Sequence, residues 1–216
     1  MTIPDTIWYA SYGSNLLRER FMRYILGGTA PGATFSQIGC SDHSPPQCDC
    51  KLSIPHRLYF ALNFEGWENL GVAFVSKRRD PNVRTLGRMY LISSRQFKEI
   101  VVQENARSTF ELLDTIDLQT TVTEGFSTIP GSHYDRLIYL GQRDGSPIFT
   151  FTANWDEGSV KLTRPGPKYL AVLSEGLREA YAMSDEAIAD YFTDAEGIAG
   201  CIPREELLRI VTESGG

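Results

Sequence analysis

"WYASYGSNL", Trp8–Leu16, is the stretch whose reading decides the fold. Ile7 to Ser11 has the apolar and aromatic character of a short strand that enters a core at once. It ends in Tyr12, Gly13, Ser14 and Asn15, where small and polar residues replace the apolar run. Beyond them Leu17, Phe21, Tyr24 and Ile25 recur at helical spacing, with Arg18, Glu19, Arg20 and Arg23 between them, and Gly27-Gly28 stops the pattern. The expectation is strand, tight turn, then a helix from Leu16 to Leu26 that begins at "YGSN". A helix N-terminus exposes unpaired N–H groups and partial positive charge, so such a turn can hold a carboxylate or an oxyanion. Gly13 admits a close backbone approach or a positive φ. The same spacing also fits a purely structural role, with Ser14 or Asn15 as helix N-cap. The turn is neither G-x-G-x-x-G nor a P-loop.

Working outward, "RLYFALNF" (Arg57–Phe64), "GVAFVS" (Gly71–Ser76) and "LGRMYLIS" (Leu86–Ser93) read as three strands between Gly, Asn and Pro turns. Ser93 and Gln96 match a capping box at the start of a helix that carries Phe97, Ile100 and Val101 on one face. Arg136–Gly141 and Pro147–Asn154 form a hairpin across Asp144-Gly145. From about Pro167 the chain is helical: Leu170, Leu173, Leu177 and Tyr181 share a face, Ser184 caps a helix bearing Ile188, Tyr191 and Phe192, and Pro203 opens one bearing Leu207, Leu208 and Val211. Residues 27–56 are rich in Gly, Pro, Ser and Cys without a period, which reads as a long loop insertion. No repeat or linker interrupts the order. The expected architecture is α+β: a single domain over residues 1–216, with a mixed β-sheet or small closed barrel surrounded by helices. The strands beginning at Ile7, Arg57, Gly71, Leu86, Arg136 and Pro147 are expected in one sheet or barrel.

The composition narrows the function classes. Of 216 residues, 42% are hydrophobic and 22% charged, enough for an ordinary core. A net charge of −6 argues against a general nucleic-acid binder, and "SKRRD" at Ser76–Asp80 reads as a solvated turn. No run reaches the roughly 18 apolar residues of a membrane span, and the start lacks the features of a secretory signal. Four cysteines are too few for a disulfide scaffold. The expected setting is cytoplasmic, with reduced thiols; the oligomeric state is left open.

Two further groups could carry chemistry. Glu104 lies three, four and seven residues after Val101, Ile100 and Phe97, which aligns its carboxylate with the apolar stripe. Burial would raise its pKa toward the range of a general acid/base. Fraying outward, or pairing with Arg107, is the structural alternative. "CSDHSPPQCDC" places Cys40, His43, Cys48 and Cys50 in one segment, but their spacing matches no zinc pattern, so plain thiols are expected and no metal. His56 and His133 stand alone and read as packing or surface residues.

With these residues in place, the chain resembles the γ-glutamylcyclotransferase family. "YGSNL" (Tyr12–Leu16) after an N-terminal strand is similar to that family's signature; "GRMYLISSRQFKEIVVQEN" resembles its strand–helix segment; "PGPKYLAVLSEGLREAYAMSDEAIADYF" (Pro165–Phe192) resembles its Pro-x-Pro-x-Tyr helix and the one after. The resemblance implies that Tyr12, Gly13, Ser14, Asn15 and Leu16 bind the γ-glutamyl end of a small substrate and that Glu104 is the catalytic acid/base. It implies a cofactor-free transferase or lyase reaction in which the substrate's own α-amine attacks its γ-carbonyl, giving 5-oxoproline and a released amine or amino acid. The sequence departs from the family's pattern after the glutamate, where Asn105 replaces a common glycine. Two other readings remain at this point: a non-catalytic sensor of a γ-glutamyl or amino-acid-like ligand on the same fold, and an interaction protein that uses the 27–56 loop.

Overall fold

The computed structural model describes residues 3–29, 36–105, 110–129, 133–155 and 158–215. Strand β1 (Thr6–Ser11) is central. On one side it pairs antiparallel with β7 (Thr85–Ser93), Tyr9 opposite Tyr90, and on the other parallel with β10 (Ser146–Thr152). β4 (Asp49–Ile54) extends the sheet beyond β7, and β9 (Arg136–Arg143) and then β8 (Phe126–Thr128) extend it beyond β10. All pairings but β1–β10 are antiparallel, so this six-stranded sheet is mixed. The chain is α+β.

β1 is buried on both faces, which is why it reads as an unbroken apolar run rather than an alternating one. Ile7 and Tyr9 face one core with Phe21, Tyr24 and Ile25 of α1 (Arg18–Leu26) and Phe97, Ile100 and Val101 of α2 (Ser94–Glu104). Phe97 is fully buried there, a burial worth about 1.5–3 kcal/mol. Trp8 and Ala10 face the other core, with the hairpin of β5 (His56–Phe64) and β6 (Leu70–Arg79) and the helices α4 (Pro167–Tyr181), α5 (Asp185–Thr193) and α6 (Arg204–Glu213). The two cores are therefore the two faces of one sheet. The capping box at Ser93 and Gln96 forms with both bonds, and Ser184 caps α5. Asp144 and Gly145 both take positive φ (52° and 80°), as their two-residue hairpin turn requires. Among the described residues no helix is long and apolar enough to cross a membrane.

The structure corrects four expectations. The strands at Arg57 and Gly71 do not join the sheet of the other four; β5 and β6 form a separate two-stranded ladder. Side chains link them to the sheet: Thr152 Oγ1 of β10 accepts from Val75 N at 3.2 Å and donates to Val75 O at 2.6 Å, and Thr85 Oγ1 of β7 donates to His56 O at 2.6 Å. Residues 27–56 are not one loop. β2 (Gly28–Thr29) and β3 (Ser36–Gln37) pair, and β4 points Leu52 and Ile54 inward between exposed Lys51 and Ser53; residues 30–35 lie outside the described residues. "SKRRD" is mostly the end of β6, not a turn. The helix does not start at Leu16. Ser14–Leu16 make a 3-10 turn, Leu17 is extended (ψ 118°), and α1 begins at Arg18 with no side-chain cap. Neither Ser14 nor Asn15 caps it. The sequence pattern also missed a 3-10 segment at Phe110–Thr115 and a short helix α3 (Leu118–Glu124).

Candidate active site

The turn after β1 is held from beneath by three elements. Tyr90 Oη of β7 donates to Asn15 O at 2.8 Å, and Arg88 Nη1 donates to Leu16 O at 3.2 Å. Arg88 is itself fixed by Asp49 (2.6 Å) and Glu179 (3.1 Å). Gly176 of α4 lies so close that a Cβ there would sit 2.6 Å from both Leu16 Cβ and Leu17 N. Gly176→Ala is therefore expected to overpack this contact, with a cost of about 1–3 kcal/mol read as a lowered denaturation midpoint; an unchanged midpoint would show that α4 can withdraw freely. Gly13 has φ −105°, so its lack of a side chain serves close approach, not a left-handed turn: a Cβ would sit 3.2 Å from the Tyr169 hydroxyl.

On the open side, the turn meets the end of α2. Asn15 is buried, and its Nδ2 donates to Glu104 Oε1 at 2.8 Å and to Tyr9 Oη at 3.2 Å. Both amide hydrogens are thus committed, and the other end of the amide, Oδ1, is buried with no partner among the described residues. An orphaned buried acceptor of this kind is costly to keep. Burial pushes the Glu104 carboxyl above its ordinary value, opposed by the Arg20 charge and by bonds from Tyr24 and Asn15. Arg20 is 4% exposed, its guanidinium 4.9 Å from the Trp67 ring centroid and 5.9 Å from that of Tyr24. Tyr169 accepts from Ala73 N at 3.2 Å, with the Ser14 backbone within bonding reach of the same oxygen, which leaves the phenolic hydrogen free to donate. Burial raises the Tyr169 phenol, so it stays protonated.

These groups line a cavity of about 740 Å³. Ser14, Arg20, Tyr24, Glu104 and Tyr169 supply polar atoms, and the β5–β6 hairpin supplies an apolar wall. A smaller void of about 30 Å³ lies between Gly13, Ser14 and Asn15 on one side and Glu104 on the other. Asn105 has a definite job: Nδ2 donates to Val101 O at 2.9 Å and Oδ1 accepts from Tyr134 N at 2.8 Å, which closes the helix end and fixes Tyr134 in the cavity wall.

The residues singled out from the sequence divide cleanly. Gly13, Ser14, Asn15 and Glu104 come together. Tyr12 lines the small void, but its hydroxyl is spent on Phe151 O at 2.7 Å. Leu16 turns into the core against α4. Cys40 is buried and donates to Tyr24 O, whereas His43 and Cys48 are exposed and Cys50 contacts Arg143; no group of three potential metal ligands occurs among the described residues. His56 is packed against Ser76 O at 2.8 Å, and His133 stands at the cavity edge. Arg107 lies outside the described residues. The other carboxylate of α2, Glu99, is fully buried and bound by Ser41 and Arg95, so it anchors the 39–44 segment instead. Arg20, Tyr24, Trp67 and Tyr169 were missed as site residues. The available signal was Arg20 itself, one turn before Tyr24 on the face of α1 that the apolar period marks as buried.

No family model matches the chain. It is 31% identical over 201 residues to histone deacetylase 5 of Arabidopsis thaliana; the match covers 88% of this chain, which spans about 30% of that protein's length. Among solved structures, a γ-glutamyl cyclotransferase is similar over 96% of this chain and 99% of its own, at 17% identity and a TM-score of 0.47. An uncharacterized protein from Homo sapiens gives 97%, 99%, 17% and 0.47 for the same quantities. A yeast γ-glutamyl cyclotransferase specific to glutathione covers 98% of this chain and 97% of its own at 11% identity, with a TM-score of 0.34.

Proposed function

We propose that this protein is a γ-glutamylcyclotransferase-type enzyme, which cyclises the γ-glutamyl group of a small substrate to 5-oxoproline and releases an amine. The observation that carries the reading is the 2.8 Å contact between Asn15 of the "YGSN" turn and Glu104 at the wall of a cavity that also presents Arg20. A γ-glutamyl group brings a carboxylate, an ammonium and an amide carbonyl, and the cavity has a complement for each. Arg20 takes the α-carboxylate. The Glu104 carboxylate, held in place by Asn15 Nδ2, takes the α-ammonium. Tyr169 donates its hydroxyl to the γ-carbonyl oxygen, where negative charge develops.

Glu104 removes one proton from the ammonium, and the freed amine attacks the γ-carbonyl carbon. The new ring C–N bond forms, the tetrahedral centre collapses, and the bond to the leaving nitrogen breaks as Glu104 returns the proton to it. The second proton lost by the attacking nitrogen also ends on the released amine, which departs as an ammonium. No atom of the protein becomes bonded to the substrate and no cofactor is consumed, because the nucleophile is the substrate's own. Catalysis is chiefly positioning: an extended glutamyl chain must be folded so that amine and carbonyl meet.

The deacetylase activity in the name of the Arabidopsis relative belongs to a protein of which this chain matches 30%. The test is a panel of γ-glutamyl dipeptides, γ-glutamylamides and glutathione assayed for 5-oxoproline. Release from at least one of them, lost in Glu104→Gln, is the expected result. Release that persists in that variant, or none from any compound, removes the reading.

A further inference from the structure

We propose that the amine released by this protein carries a large, uncharged apolar substituent, an aryl or branched alkyl group, received by the wall that the β5–β6 hairpin builds. The inference rests on the cyclisation reading above and adds the class of leaving group.

The hairpin lines the cavity with Leu62, Phe64, Trp67, Val72 and Phe74. Its backbone is bent to do so. The β5–β6 register shifts between Ala61 and Phe64, and Leu62, at that irregularity, takes φ 63°, a left-handed conformation that a branched apolar residue adopts only under constraint. Bulges re-aim side chains beside functional sites, and strain of this kind collects at ligand clamps. Glu68 and Asn69 at the tip repeat the left-handed conformation (φ 60° and 55°), so the hairpin end is contorted across its whole turn. The wall is also stiff. Phe74 stacks on Tyr134 at 4.9 Å and Trp67 packs on Tyr169 at 4.9 Å.

Charge weighs against the alternatives. Among the described lining residues Arg20 is the only lysine or arginine, and it is committed to the glutamyl carboxylate. A leaving amino acid would bring a second carboxylate, with no second lysine or arginine among the described lining residues to meet it, only His133 at the cavity edge, and with Glu65 there to repel it. A cationic leaving group would meet Glu65 but would lie along five apolar side chains. A volume of about 740 Å³ far exceeds what the γ-glutamyl part needs.

The test compares γ-glutamyl-2-phenylethylamide with γ-glutamylmethylamide, γ-glutamylglycine and γ-glutamylputrescine. Two readings are taken: kcat/KM for 5-oxoproline release by the parent, and Kd by calorimetry on Glu104→Gln, which binds without moving the proton. Burial of a phenyl-sized group is expected to favour the phenylethylamide over the methylamide by about 10- to 100-fold in both. Equal values, or a preference for the glycine or putrescine compound, overturn the inference while turnover keeps the cyclisation reading intact. Selective binding with no 5-oxoproline from any compound does the reverse. Leu62→Asn supplies a second check, because asparagine tolerates the left-handed region. It should keep or raise the denaturation midpoint yet cut the phenylethylamide preference several-fold. An undiminished preference in that variant would also sink the proposal.

Discussion

Glu104→Gln is expected to lower kcat for 5-oxoproline release by about 10²–10⁴ and at the same time to make the protein more stable at neutral pH. The loss of rate follows from chemistry: an amide keeps the shape of the carboxylate and can still bond Asn15, but it cannot accept a proton from the substrate ammonium. The gain in stability follows from the raised pKa of the carboxyl, whose chief cause is burial. In the unfolded chain the carboxyl ionises near its ordinary value, whereas in the folded protein it holds its proton to higher pH. Between the two values the native state binds more protons than the unfolded state, so parent stability falls as pH rises through that window. Glutamine has no such dependence. The difference in midpoint between variant and parent should be close to zero below pH 4, grow as pH rises, and level off above the folded-state value. For the parent enzyme, kcat/KM should rise through the same window, so its acid limb lies above the range of an ordinary glutamate. Denaturation midpoints for both proteins from pH 4 to 8 check the first statement and a pH–rate profile the second. A variant less stable than the parent at pH 8 would mean that the ionised carboxylate is well solvated or fully paired, and that the site does not tune it.

This coupling could be sensed in the sequence only in part, and the reason is the range over which each interaction acts. The turn, the capping box and Glu104 were readable because each depends on residues within a turn or two of itself. Glu104 shares a helical face with Phe97, Ile100 and Val101 whatever the rest of the chain does. Sheet membership is different. Nothing in "GVAFVS" says whether its backbone pairs with β10 or only leans on it, and the answer came from a threonine 77 residues away, Thr152, bonded to both backbone groups of Val75. β4 does alternate, with Cys50, Leu52 and Ile54 against Asp49, Lys51 and Ser53, but six residues of period two following a Pro- and Cys-rich run are easily taken for more of the same loop. The helix start was missed because one extended residue, Leu17, separates the 3-10 turn from α1, and leucine carries no signal for that conformation. The cost to the functional reading was small. In the proposed reaction, donors that an α-helix N-terminus would have supplied are replaced by two side chains, Arg20 from α1 and Tyr169 from α4.

Arg20 is the replacement with the most measurable consequence. Arg20→Gln is expected to cut kcat/KM by about 30- to 4,000-fold, the range for removing one partner of a desolvated charge pair, about 2–5 kcal/mol, at tenfold per 1.4 kcal/mol. The loss should fall mainly on KM, because the α-carboxylate keeps its charge from the bound substrate to the transition state and its binding is therefore uniform along the reaction. A second effect has a definite sign. The Arg20 charge lowers the Glu104 pKa against the upward push of burial, so without it the acid limb of the pH–rate profile should move to higher pH. Arg20→Lys separates the two roles. It keeps the charge, hence the position of the acid limb, but gives up the planar two-point grip and the stacking on Trp67, so KM should still rise. The decisive comparison pairs the variant with a substrate whose α-carboxylate is replaced by a carboxamide. The parent should discriminate strongly against that compound, and Arg20→Gln should treat it and the normal substrate nearly alike, since each change alone already removes the same ion pair. If the two penalties simply add, Arg20 does not touch the α-carboxylate and acts only through Glu104; the pH profile would then shift in Arg20→Gln while discrimination between the two substrates remained that of the parent.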